Sequence, residues 1–194
     1  MEIPQTPLMD DEGLATFKMH LNGTRTYLEY GCGGSTVLAA KAGVKHIFGV
    51  DTARDWIEAV RENTKGFDAQ INLSHCDVGE LKDWGFPVDD SRVKDFHRYA
   101  VLPWEAAEKA GRVPDLVLID GRFRVASFLY SLLSAPPGMT ILFDDYTNRP
   151  QYHVVEQFCK RTESCGRMGV FEVSDGYRLT HLARTLSRYS IVAE

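Results

Sequence analysis

The chain reads as an α/β protein whose mostly parallel sheet closes in a C-terminal antiparallel hairpin. Three observations predict this. Five short segments rich in apolar residues each run into a carboxylate, at Glu29, Asp51, Asp77, Asp120 and Asp144-Asp145. Stretches with helical periodicity lie between them, and strands alternating with helices imply right-handed crossovers and a parallel sheet. Near the end, 170–174 and 177–183 flank Asp175-Gly176, which reads as two strands joined by a D-G turn.

Bulk properties fit this class. The 194 residues suffice for one α/β domain over 1–194, with no obvious linker. Apolar residues at 44% and charged residues at 25% are ordinary for a soluble protein. A net charge of -5 argues against a broad basic surface, so a nucleic-acid substrate is less expected than a small molecule. The first residues lack the basic-then-apolar pattern of a secretory signal. No apolar run approaches the roughly 20 residues that cross a bilayer. Cys32, Cys76, Cys159 and Cys165 form no C-x-x-C pair, as expected for reduced thiols in a cytoplasmic protein.

In chain order, Asp10-Asp11 starts and Asn22-Gly23 stops a short helix with Leu14, Phe17 and Leu21 at helical spacing. Thr26 to Tyr30 is a strand that breaks into Gly31-Cys32-Gly33-Gly34-Ser35, and 36–42 continues as a helix. Strand, glycine turn and helix N-terminus in this order aim backbone N–H groups at a ligand. A second strand over 45–51 ends in Asp51, with a helix over 52–63 built on Trp56, Ile57 and Val60. A third strand over 71–77 ends in Asp77.

Residues 78–113 interrupt the rhythm with Trp84, Phe86, Phe96, Tyr99 and Trp104. A connection of this length is functional or structured in its own right. It reads as an insertion that either covers an acceptor pocket or forms a satellite core, with a helix over 103–109 that has Pro103 in its first turn. The rhythm resumes with a continuous apolar strand over 114–120, a helix over 125–133 closed by Pro136-Pro137-Gly138, a strand over 139–145 and a helix over 152–160.

The carboxyl ends of parallel strands form the ligand crevice of such a sheet. Carboxylates gathered there repel one another unless cations or donors answer them. A cationic ligand carrying a ribose and an amino group does so. Asp51 lies about 20 residues past the glycine turn, where a carboxylate bonds both ribose hydroxyls. Glu29 is placed to meet an ammonium directly or through water, or else to pair with Arg25 or a lysine, and Asp77 to accept from an adenine amino group. Each carboxylate taken alone also reads as a helix cap or a solvent-facing residue.

Glu29-Tyr30-Gly31-Cys32-Gly33-Gly34-Ser35, Gly49-Val50-Asp51, Ile119-Asp120-Gly121 and Phe143-Asp144-Asp145-Tyr146 together resemble a class I S-adenosylmethionine-dependent methyltransferase. The resemblance implies a three-layer Rossmann-like sandwich with a seven-stranded sheet. It also implies an S-adenosylmethionine site at Glu29, Gly31, Cys32, Gly33, Gly34, Ser35, Asp51, Thr52, Asp77 and Asp120. Ile-Asp-Gly followed by Asp-Asp is similar to the small-molecule O-methyltransferases that bind a divalent metal. That implies methyl transfer to oxygen, with Asp120, Asp144 and Asp145 as oxygen ligands for Mg²⁺ or another divalent cation. The alternative for these three is capping of the following loop and contact with cofactor or backbone.

Two departures stand out. Ser35 occupies the place of the family's third glycine, and Arg122-Phe123-Arg124 fills a stretch where the metal-dependent branch carries a histidine. Asp120 and Asp144, with Arg122, are the expected catalytic residues, and His75 and His97 are alternative bases. Arg122 or Arg124 is expected to orient an anionic acceptor, or else to pair with the aspartates. A nicotinamide-binding Rossmann oxidoreductase ranks lower, because its G-x-G-x-x-G needs glycine at Thr36. A protein of this fold that binds the cofactor or a partner without catalysis is the other alternative.

Overall fold

The computed structural model describes residues 2–194. Its sheet has seven strands in the order β3-β2-β1-β4-β5-β7-β6. These are β1 (Thr26–Tyr30), β2 (His46–Asp51), β3 (Gln70–His75), β4 (Leu116–Ile119), β5 (Thr140–Phe143), β6 (Arg161–Cys165) and β7 (Met168–Glu172). The pairs β1–β2, β2–β3, β1–β4 and β4–β5 are parallel, and β7 runs antiparallel to both β5 and β6.

β1, β4 and the last three residues of β5 are wholly buried, as continuous apolar strings in the middle of a covered sheet must be. Alternate residues of β1 face opposite layers. Tyr27 packs with Phe17 and Leu21 of α1 (Asp11–Leu21) and Ala39 and Ala40 of α2 (Gly34–Lys41). α3 (Arg54–Asn63) extends that layer through Ile57 and Val60. Leu28 and Tyr30 face the opposite layer, which is built after the short α4 (Val93–Phe96) from α5 (Arg98–Lys109), α6 (Arg124–Ser134) and α7 (Leu179–Tyr189). The result is the expected three-layer sandwich.

Asp10 caps α1 by accepting a hydrogen bond from the Gly13 amide, as the Asp10-Asp11 signal predicts. Three expectations need correction. The hairpin is present but earlier in the chain, β6 to β7, turning at Gly166-Arg167; the Asp175-Gly176 pair instead leads into α7. β6 is a polar edge strand with little apolar signal, and the apolar period of α7 passes for strand alternation over 177–183. The helix expected over 152–160 is a 3-10 helix over 150–157, so its bounds shift toward the N-terminus.

Residues 78–113 hold the third correction. α5 starts five residues before the helix expected at Pro103, which therefore lies inside it. α5 is the crossover from β3 to β4, with Tyr99, Ala100, Trp104 and Ala107 buried against the sheet. The Trp104 indole donates to Ser131 of α6 at 3.2 Å. Phe96, Tyr99 and Trp104 thus belong to the main core, and Trp84 and Phe86 sit in a separate turn closed by the Leu81–Pro87 bridge.

Candidate functional site

At the carboxyl ends of β1, β2, β4 and β5 the strands open onto a cavity of about 870 Å³. One end is the glycine turn. Gly31 has φ +87°, and a Cβ there would lie 2.8 Å from Gly121 Cα, so a side chain fails on both conformation and space. The Gly31 amide still completes the sheet by donating to Val50 O. The Cys32 amide donates to Asp51 Oδ2 at 3.1 Å, and Asp51 Oδ1 accepts from the Ala53 amide at 3.0 Å. Asp51 therefore joins the turn to the start of α3 while its carboxylate lines the cavity. Burial raises its pKa, against the amide donors that favour the ionised form.

Gly31, Cys32, Gly33, Gly34, Ser35, Asp51, Thr52 and Asp120 all line this cavity. Glu29 and Asp77 do not. Glu29 is fully buried and accepts from Tyr27 Oη at 3.0 Å, from Ser35 Oγ at 2.6 Å and from Thr36 Oγ1. Neither Arg25 nor a lysine pairs with it. Its carboxylate pins β1 to the first turn of α2, and Ser35 stands in place of a glycine because its hydroxyl supplies one of those bonds. Burial pushes the Glu29 carboxyl up to about 7, opposed by the three hydroxyls. Asp77 lies two residues past the end of β3 and turns to solvent, where it accepts from Gly79 N and pairs with Arg92 at 3.0 Å. The wall beside Asp51 is built instead by Thr52, whose hydroxyl donates to Gly85 O at 2.8 Å, and by Trp84 and Phe86.

The other end of the cavity gathers Asp120, Asp144 and Asp145 with Arg122, Arg124, Arg149 and Arg167. Arg124 is spent on structure. It donates to the Gly121, Asp144 and Asp120 carbonyls and to Asp120 Oδ1, the last at 3.2 Å. Asp145, held in the left-handed region at φ +56°, accepts from Arg149 at 2.7 Å and lies 3.3 Å from Arg167 Nε. Asp144 is 1% exposed, and its Oδ1 has no hydrogen-bond partner. Burial, then the charges of Asp120 and Asp145, push its carboxyl up to about 7; Asp120 is likewise raised, by burial first.

The expected divalent-metal site does not fit these residues. Among the described residues no group of His, Cys, Asp or Glu is arranged to hold a metal ion. Asp120 and Asp145 already face guanidinium groups, which occupy the positions a hard cation needs. His75 bonds the Thr52 carbonyl and Arg54, His97 is exposed at the C-terminal end of α4, and neither lines the cavity.

Several lining residues carry no local sequence signal. Trp56 donates from Nε1 to Cys32 O at 2.6 Å and flanks Gly33. Residues 4–8 cross the glycine turn as a strap without regular secondary structure, with Ile3 buried against Val37 and Ile57. A Cβ on Gly34 would strike the Thr6 carbonyl, so this glycine makes room for the strap. Arg149 and Arg167 arrive from the 3-10 helix and the β6–β7 turn.

This strand order, with the glycine turn after β1 and the carboxylate ending β2, is a Rossmann-like methyltransferase architecture. The chain is similar to a methyltransferase-like protein from Silicibacter pomeroyi, at 30% identity over 98% of this chain and 100% of that one, with a TM-score of 0.89. Cofactor-bound Rv0187 from MTB shares the fold at 16% identity, over 89% and 84% of the two chains, with a TM-score of 0.58. MycE methyltransferase of the mycinamycin pathway, in complex with Mg and SAH, does so at 14% identity over 88% of this chain and 51% of that one, with a TM-score of 0.50. No family model and no curated protein matches the chain. The chain belongs to the class I S-adenosylmethionine-dependent methyltransferases.

Proposed function

We propose that the protein transfers a methyl group from S-adenosylmethionine to an oxygen of a small, anionic acceptor. One observation carries this reading: a single cavity joins the glycine turn and Asp51 to the Asp144 carboxyl, one oxygen of which has no hydrogen-bond partner. The turn and Asp51 suit the methionine and ribose parts of the cofactor.

Methyl transfer from a sulfonium is an in-line displacement, and holding donor and acceptor in line supplies much of the rate. A hydroxyl acceptor must also lose its proton. Asp144 lines the cavity and is the proposed group to take it, and a base with a pKa near 7 is poised for that step at neutral pH. Arg124 fixes the backbone on either side, at Asp120 and Asp144, and so positions both carboxylates. Arg122 and Asp120 complete the proposed catalytic group.

Calorimetric titration with S-adenosylmethionine, S-adenosylhomocysteine and NAD tests the cofactor. Binding of the two sulfur compounds supports the reading, and binding of neither overturns it. Methyl transfer from labelled cofactor to a panel of hydroxylated carboxylic acids and phosphates, set against amine analogues, tests oxygen as the acceptor atom. Transfer to amines alone would remove that part.

A further inference from the structure

Arg122 is 9% exposed, yet among the described residues its guanidinium makes no hydrogen bond and no ion pair. Its backbone amide is held by Tyr99 Oη at 3.2 Å, and its guanidinium lies 4.0 Å from the centre of the Phe86 ring. A ring face attracts a cation but satisfies none of its five N–H donors. Burial and the like charge of Arg124 lower the Arg122 pKa, with the charge of Asp120 acting the other way, and none of these supplies its N–H groups with an acceptor. Its donors open onto the cavity.

Two further guanidiniums line the same cavity. Arg149 gives two of its donor groups to Tyr152 and Asp145 and is about one-third exposed. Arg167 gives one to the Leu8 carbonyl and turns its buried Nε to Asp145 Oδ1 at 3.3 Å, which leaves Nη1 without a hydrogen bond among the described residues. Both therefore keep donors for a ligand, unlike Arg124.

We propose that Arg122, Arg149 and Arg167 form an oxyanion subsite that takes the carboxylate or phosphate group of the acceptor. Arg122 supplies a guanidinium that no other described residue bonds, and the other two supply forked donors beside Asp145. The subsite stands where a divalent cation was expected, so positive charge reaches the acceptor from side chains. This rests on the methyltransferase reading and assigns the acceptor's recognition group within it.

Protein saturated with S-adenosylhomocysteine is titrated calorimetrically with malonate, with inorganic phosphate and with uncharged malonamide. Saturable binding of malonate or phosphate but not of malonamide is expected, and the tighter of the two identifies the anion class. Arg122→Gln and Arg149→Gln should each weaken that binding at least tenfold, with S-adenosylhomocysteine affinity within threefold of the parent. Arg122→Lys, which keeps the charge, should retain part of it. Arg149 is a partly exposed residue, so its variant reports on the subsite even where Arg122→Gln fails to fold. The proposal is overturned if neither anion binds, or if both glutamine variants bind them as the parent does. Loss of S-adenosylhomocysteine affinity in Arg122→Gln also overturns it, by giving that charge to the cofactor. Failure of the parent protein to bind S-adenosylhomocysteine would instead overturn the methyltransferase reading.

Discussion

Glu29 pays for its place inside β1 with a carboxyl raised to about 7, where an exposed glutamate titrates near 4.5. Because the folded value is the higher one, its contribution favours the fold below about 4.5 and is lost as pH rises to about 7. Glu29→Gln removes that titration. Its melting temperature relative to the parent should therefore rise between pH 4.5 and 7, and parallel curves would refute the assignment. In the proposed reading, Asp51 serves binding and Asp144 serves chemistry. Asp51→Ala removes two hydrogen bonds to a charged acceptor and should weaken S-adenosylhomocysteine about a hundredfold or more. Asp144→Asn should lower kcat about 10²–10⁴-fold. The parent rate should climb as pH passes about 7 and the Asp144 carboxyl ionises, and the variant should lack that rise. A variant with parental kcat would release Asp144 from the role of base.

At the scale of elements, the strap formed by residues 4–8 and the turn before α2 depend on each other. Gly34→Ala places a methyl group against the Thr6 carbonyl and 2.8 Å from Pro7 N, two backbone atoms with no flexible end to move. A small-to-large change in such a packed contact costs about 1–3 kcal/mol. Faster proteolysis near the N-terminus and weaker cofactor binding are expected, and an unchanged digestion pattern would show that the strap is not seated by this contact. The C-terminal hairpin matters to the site for a different reason. Its turn delivers Arg167, whose amide donates to Asp10 Oδ2 at 2.7 Å, so the cap of α1 also fixes one wall of the cavity. Patterning located the parallel strands because their apolar runs are dense; it misplaced the hairpin because β6 earns its position by pairing with β7 and not by burial.

For the whole molecule, a ligand that binds only the folded chain raises its stability by about 2.7 kcal/mol at a hundred times its dissociation constant. At roughly 2–4 °C per kcal/mol for a chain of this size, saturating S-adenosylhomocysteine should raise the melting temperature by about 5–10 °C. NAD should leave it unchanged. Since Asp120 and Asp145 are engaged by arginines, methyl transfer should persist after exhaustive chelation. Activity abolished by chelation and restored by Mg²⁺ would mean that those ion pairs open for a metal.

The sequence by itself determined the α/β class, the parallel strands and the glycine turn that follows β1. It also marked Asp51 at the end of β2. Those features are written locally, in apolar runs, helical periods and the turn chemistry of glycine, so neighbouring residues suffice to reveal them. Tertiary structure decided which carboxylates reach the cavity. Glu29 and Asp77 carry the same strand-end signal as Asp51, but one is consumed by three hydroxyls and the other faces solvent. It also decided the arginine-lined end of the cavity. Arg122, Arg149 and Arg167 come from three separate elements and meet only because β5 pairs with β7, which brings the last hairpin beside the crevice. Charges so far apart along the chain acquire their neighbours only when the sheet is assembled.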